Sequence, residues 1–199
     1  MILSGEVHPR LFVYIQPDFA STVGGTSHAV QLRDWYADLF LTENKEWRLR
    51  AGQSKVPYGF ENLQSSQNRL ALDRNDALNS AVSNERDFGL FLYYAPTHVR
   101  ERFRRLVDSG LKGSGDYGML GFGVYNGQTA NQPERNDDKH MIVRAAYPYE
   151  FANGQILEVG VSAYQGMFNV TKTAVVPLAG GAAVTPRGNN NIRDERAAA

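Results

Sequence analysis

The chain has 199 residues, 42% of them hydrophobic and 21% charged, with 21 basic side chains balancing 21 acidic ones. That composition excludes a disordered chain and argues against a nucleic-acid binder, which needs a net basic field; the absence of cysteine removes disulfides, thiolate nucleophiles and zinc ribbons. No apolar run approaches the roughly 18–20 residues of a spanning helix, but a membrane β-barrel alternates apolar and polar residues, so a mean hydropathy of −0.41 leaves that class open.

At the N-terminus, Met1 to Glu6 lacks the basic start and apolar core of a signal peptide. With an export-type body behind it, this suggests a mature form or a fragment. Period-two alternation then recurs along the chain. Leu11, Val13 and Ile15 share one face, opposite Phe12, Tyr14 and Gln16. From Ala29 to Thr42, Trp35, Ala37, Leu39 and Leu41 oppose Asp34, Tyr36 and Asp38. A polar turn at 43–46 leads into Trp47, Leu49 and Ala51, opposite Arg48 and Arg50. Asn62 to Ser83 is polar, punctuated by leucines, and predicts a helix. Phe88 to Tyr94 is an apolar strand. Thr97 to Asp108 carries Val99, Phe103, Leu106 and Val107 at helical spacing, with Gly110 as its stop. Tyr117 to Asn126, the run around Met141 to Tyr147 and the run from Leu157 to Tyr164 alternate again. Ala152-Asn153-Gly154 makes a hairpin turn between the last two. Residues 174–199 show no periodicity and predict a loop or disordered tail, so the division is 1–173 for the folded body and 174–199 for the tail.

This gives an all-β chain of about seven antiparallel strands with two short helical segments. A strand of about ten residues, tilted near 45°, spans the roughly 25 Å apolar band of an outer membrane. The two tight turns fall on one end of the strands and the long polar links on the other, as in up-and-down transmembrane barrels. The helix at 97–108 is the irregularity, because it falls on the tight-turn end. An odd strand count predicts an incomplete barrel, which as an isolated piece would form an open curved sheet.

Periodicity fits a soluble β-barrel that binds a small ligand equally well. The composition of the faces favours the membrane reading. The non-apolar face carries Tyr, Gly and mixed charge (Asp34, Asp38, Arg48, Arg50, Arg144, Glu158), which suits a water-filled lumen. The apolar face ends in Trp35, Trp47 and Tyr147, as in aromatic girdles. Placing Arg48 or Arg50 against lipid costs about 2–4 kcal/mol each at the midplane.

Motifs for chemistry are lacking. The four histidines (His8, His28, His98, His140) form no metal-binding pair. Asp73 to Asp76 lacks the Gly and Glu of a calcium loop. Gly121-Phe122-Gly123 has no helix behind it and reads as space left in the lumen rather than as a phosphate loop. No serine sits in a nucleophile elbow. The sequence therefore predicts no catalytic residue, no metal and no cofactor.

One segment is more specific. The run Arg50-Ala51-Gly52-Gln53-Ser54-Lys55-Val56-Pro57-Tyr58-Gly59-Phe60-Glu61 passes from a strand into a Pro/Gly turn. With Leu32 to Asp38, Glu85-Arg86-Asp87-Phe88-Gly89 and Tyr117 to Gln128, it resembles the outer-membrane phosphate-selective porins of the O and P type. The resemblance covers about residues 30–166. It implies a trimeric, roughly 16-stranded channel in a Gram-negative outer membrane, in contact with lipid and passing small anionic or neutral solutes. A long loop narrows the lumen of such channels, and basic side chains there attract anions. By position that loop is Val56 to Glu85, and the pore-lining or constriction candidates are Arg48, Arg50, Lys55, Arg69, Arg74 and Arg86. Ordinary salt bridges, such as Arg86 with Asp87 or Arg74 with Asp73, are the plain alternative for each. Asp34 and Asp38, facing the same lumen, offset the arginines. A phosphate pore, a pore for another anion and a general porin all remain open.

Overall fold

A computed structural model describes residues 1–23, 26–64, 75, 81–82, 85–110, 113–171, 176–177, 183–184 and 189–199. The elements in chain order are β1 (Leu3–His8), β2 (Leu11–Val23), β3 (Thr26–Phe40), β4 (Trp47–Lys55), α1 (Phe60–Leu63), β5 (Arg86–Tyr94), α2 (Thr97–Asp108), β6 (Leu120–Tyr125), β7 (His140–Glu150), β8 (Ile156–Thr171), β9 (Val176–Pro177), β10 (Ala183–Val184) and β11 (Asn189–Ala198). Nine strands form one antiparallel sheet in the order β1-β2-β3-β4-β5-β6-β7-β8-β11, while β9 and β10 pair with each other. The sheet is open, with β1 and β11 at its edges.

Two of its strands were not evident in the sequence. β1 is short and fully exposed, so burial leaves no alternating signature on it. β11 lies in the segment read as an irregular tail. Its run Asn-Asn-Asn-Ile-Arg-Asp-Glu-Arg has no apolar face, yet it pairs with β8 over the register from Asn189↔Thr171 to Ala198↔Ser162. The ladder there is held by backbone groups, which pair whatever the side chains are. The expected strand from Tyr117 begins only at Leu120, because Gly118 (φ 76°) turns the chain first. Of the helix expected over 62–83, Asn62 and Leu63 end the single turn α1, residues 64, 75, 81 and 82 are not helical, and the remainder lies outside the described residues.

The two faces of the sheet are inverted relative to a water-soluble protein. On β7, His140, Ile142, Arg144, Ala146 and Pro148 are buried while Met141, Val143, Tyr147 and Tyr149 are exposed. Val143 and Val161 are 53% and 57% exposed, whereas Asp38 and Arg50 are 2% and 5% exposed. Outward aromatics pair across strands at two levels: Trp47 with Tyr94 (4.7 Å) and Trp35 with Phe88 (5.4 Å). On β4 the two levels correspond to Trp47 and Gln53, the partner of both Trp35 and Phe88. At about 3.3 Å per residue they stand roughly 20 Å apart.

The inner face is covered by links from both ends. On the turn end, α2 buries Val99, Phe103 and Leu106, and its Val99 and Phe103 pack with Ala95 and Ala146. Arg100 donates to the Lys45 carbonyl (2.6 Å), and Arg102 to the Pro148 carbonyl (2.8 Å) and Glu150 (3.1 Å). On the other end, the Gly59 N–H donates to Ser162 Oγ (3.0 Å), tying the link after β4 to β8. The Tyr58 and Tyr164 rings meet edge to face at 5.0 Å. The space beside Gly121 and Gly123 is not empty lumen: a Cβ at Gly123 would lie 2.3 Å from Phe91, and one at Gly121 3.2 Å from Tyr93. The rings of β5 occupy the room the glycines leave.

The inversion is testable at Val143. A Val143→Arg variant, with its cation on the apolar face, is expected to lose about 2–4 kcal/mol of folding stability in lipid. Folding yield into vesicles, read by heat-modifiable electrophoretic mobility, checks this. A yield equal to that of the unaltered protein would contradict a lipid-facing sheet.

Candidate functional site

Alternation sends Asp34, Tyr36 and Asp38 of β3, Arg48 and Arg50 of β4, Phe91 and Tyr93 of β5 and Arg144 of β7 to the inner face. Register brings Asp38 directly opposite Arg50. The pair is a two-point fork: Arg50 Nε donates to Asp38 Oδ1 (2.7 Å) and Nη2 to Oδ2 (2.9 Å). The guanidinium also lies over the Tyr36 ring, 3.7 Å from its centroid, with Tyr93 and Tyr117 at 5.7 and 5.8 Å. An aromatic sleeve of this kind suits a planar, weakly hydrated cation.

Arg48 is next along the strand. Its Nη1 lies 3.1 Å from Asp116 and 3.6 Å from Asp38, and its Nη2 donates to the Asp116 carbonyl. Asp116 comes from the link after α2 and also meets Arg100 at 3.4 Å. Burial pushes the Asp116 carboxyl up, but the Arg48 and Arg100 guanidiniums outweigh it and hold the group below the usual carboxylate range. Towards the other end, Arg86 pairs with Asp34 (2.9 Å) and Glu85 (3.4 Å). Lys55 pairs with Glu85 (2.9 Å) and donates to the carbonyls of Asn62, Leu63 and Gln64, closing the end of α1. Across the sheet, Arg144 reaches Ser114 Oγ (2.8 Å) and Glu158 (3.4 Å).

A cleft of about 1040 Å³ has Asp34, Asp38, Arg48, Arg50, Lys55 and Arg86 together in its lining, with Glu85, Arg100 and Asp116, while Arg144 and Glu158 lie outside it. Arg69 and Arg74 lie outside the described residues. The suggested Arg86–Asp87 bridge is replaced. Asp87 instead accepts the N–H groups of Phe88 (2.7 Å), Gly127 (2.7 Å) and Thr129 (3.0 Å), fixing the turn after β6. The sequence reading missed Glu85, Arg100, Arg104 and Asp116. Arg100 and Arg104 share one side of α2, and that spacing of four was the available signal. Among the described residues, no group of three or more His, Asp or Glu is placed to hold a metal.

An all-β sheet with hydrocarbon outward and paired charge inward can border an aqueous passage. The family model for phosphate-selective porin O and P matches residues 1–198. The chain belongs to that family. No curated protein and no solved structure matches it. Porins of this family are channels rather than enzymes.

The low carboxyl value of Asp116 has a defined sign. Its stabilising contribution is present above the unfolded value of about 3.9 and is lost as pH falls through the lower folded value. Asp116→Asn is therefore expected to be less stable than the unaltered porin at pH 7, with the two converging in acid as the Asp116 carboxyl protonates. Denaturant midpoints of the detergent-solubilised proteins measure this, and a gap that stayed constant with pH would contradict it.

Proposed function

We propose that the chain forms wall of an outer-membrane porin through which small hydrophilic solutes, phosphate and other small anions among them, diffuse passively. The observation that carries the reading is the inversion: exposed valines and aromatics on the outer face, buried arginine–carboxylate pairs on the inner one. Lipid solvates the first, and a water-filled passage tolerates the second. Unpaired strand edges are costly in lipid, so β1 and β11 pair with further strands to close a barrel, and three such barrels associate in the membrane of a Gram-negative cell. Tight connections at 41–46 and 151–155 face the periplasm, and the links at 56–85 and 126–139 face outward.

The anion preference rests on the cleft's balance of charge. Arg33, Arg48, Arg50, Lys55, Arg86, Arg100 and Arg104 line it, against Asp34, Asp38, Glu85, Asp108 and Asp116. The excess is small, so attraction of anions is modest and depends on ionic strength. In this reading Arg69 and Arg74, on the link that follows β4, add to the constriction. The role needs no catalytic residue and no cofactor.

Planar bilayers test both levels. The reconstituted protein is expected to give stepwise, ohmic conductance, a reversal potential on the anion side in a potassium chloride gradient, and chloride currents reduced by added phosphate. Absence of conductance would overturn the channel reading. A cation-side reversal potential would overturn the anion preference alone.

A further inference from the structure

The cations of the β4 wall do not stand free in the cleft. Asp38 is shared: both of its oxygens hold Arg50, and Oδ2 also lies 3.6 Å from Arg48. Asp116 takes the other side of Arg48 at 3.1 Å and is delivered by a link 68 residues away in sequence. Two arginines on one strand thus meet two carboxylates from different parts of the chain. A permeating anion meets a salt bridge as a dipole, whose attraction falls off faster than that of a lone charge. Arg48 nevertheless keeps an unused donor, because its buried Nε makes no hydrogen bond.

We propose that Asp38 and Asp116 are positioning residues that set the channel's selectivity, holding Arg48 and Arg50 as near-neutral pairs and so restraining its preference for anions. Both oxygens of Asp38 are taken up by arginine, so it acts through Arg48 and Arg50. Asp116 acts through Arg48 and is itself fixed by Arg100 of α2, so the periplasmic-side link helps determine what the wall admits. Neutralising either carboxylate returns positive charge to the cleft without changing the strands. The permeant then favoured is a small oxyanion such as phosphate, which the planar guanidinium recognises by paired hydrogen bonds.

The inference rests on the porin reading, and the test separates the two. Asp38→Asn, Asp116→Asn and the double variant are reconstituted in planar bilayers beside the unaltered protein. Reversal potentials give the anion-to-cation permeability ratio, and titration of chloride current with inorganic phosphate gives the half-blocking concentration. Each single variant is expected to raise the ratio by about threefold or more and to lower the half-blocking concentration by a similar factor, with a larger effect in the double variant. Glu134→Gln, which removes a carboxylate paired with Lys139 away from the cleft, is expected to leave both values unchanged. Asp38→Asn strands a buried guanidinium and can fail to fold; Asp116→Asn, half-buried on a link, then decides. Conducting Asp116→Asn channels with an unaltered ratio would overturn the inference. Absence of conductance from the unaltered protein would overturn the porin reading instead.

Discussion

A charge withdrawn from bulk water has to be paired, and on the inner face of this sheet that requirement shapes much of what lies beyond the strands. β4 alone presents Arg48 and Arg50 to a surface where both are buried. Removing one partner of a buried pair typically costs about 3–5 kcal/mol. Asp38 meets the demand from the neighbouring strand, but Arg48 needs Asp116, Lys55 and Arg86 need Glu85, and Arg144 needs Glu158 and Ser114. Asp116, Glu85 and Ser114 lie on links. The links therefore fold over the wall to satisfy the wall's charges, and α2 is held at the turn end partly because Arg100 shares Asp116.

Such pairs add little net stability, because desolvation offsets most of the attraction. Their effect is specificity of arrangement. The fork between Arg50 and Asp38 forms only in one β3–β4 register, and a slip of one residue would send Asp38 to the apolar face. The apolar exterior, which a membrane solvates, and the charged interior, which its own partners satisfy, thus select the same alignment from opposite sides.

Much of this was legible in the sequence, because the period of two is a local property. Leu39 and Asp38 declare their faces within a few residues, as do Val143 and Arg144. Asp34, Asp38, Arg48 and Arg50 stand on the inner side for that reason alone. What escaped was either featureless or distant. β11 has no apolar alternation, and its strand is created by the edge of β8 rather than by its own composition. Asp116 could not be joined to Arg48 from the sequence, since nothing local to either residue encodes a contact across 68 positions. Asp87 misled by proximity. Adjacent to Arg86 in sequence, it points along the strand end to collect backbone donors from the turn after β6, while Arg86 turns to Asp34.

The glycines of β6 carry a consequence of a different kind. Phe91 and Tyr93 lie against Gly123 and Gly121, so large rings are laid along the wall where side chains on the facing strand would otherwise push them inward. At these two positions of β6 the inner face is bare backbone, and the rings of β5 stand where its side chains would be. On their other side those rings meet the segments that follow β4 and precede β5 by apolar packing, since Val56, Tyr58 and Val82 join Phe91 and Tyr93 in one buried cluster. A bulkier residue at 121 or 123 would therefore displace a ring and, through it, the segment packed on the ring's other side.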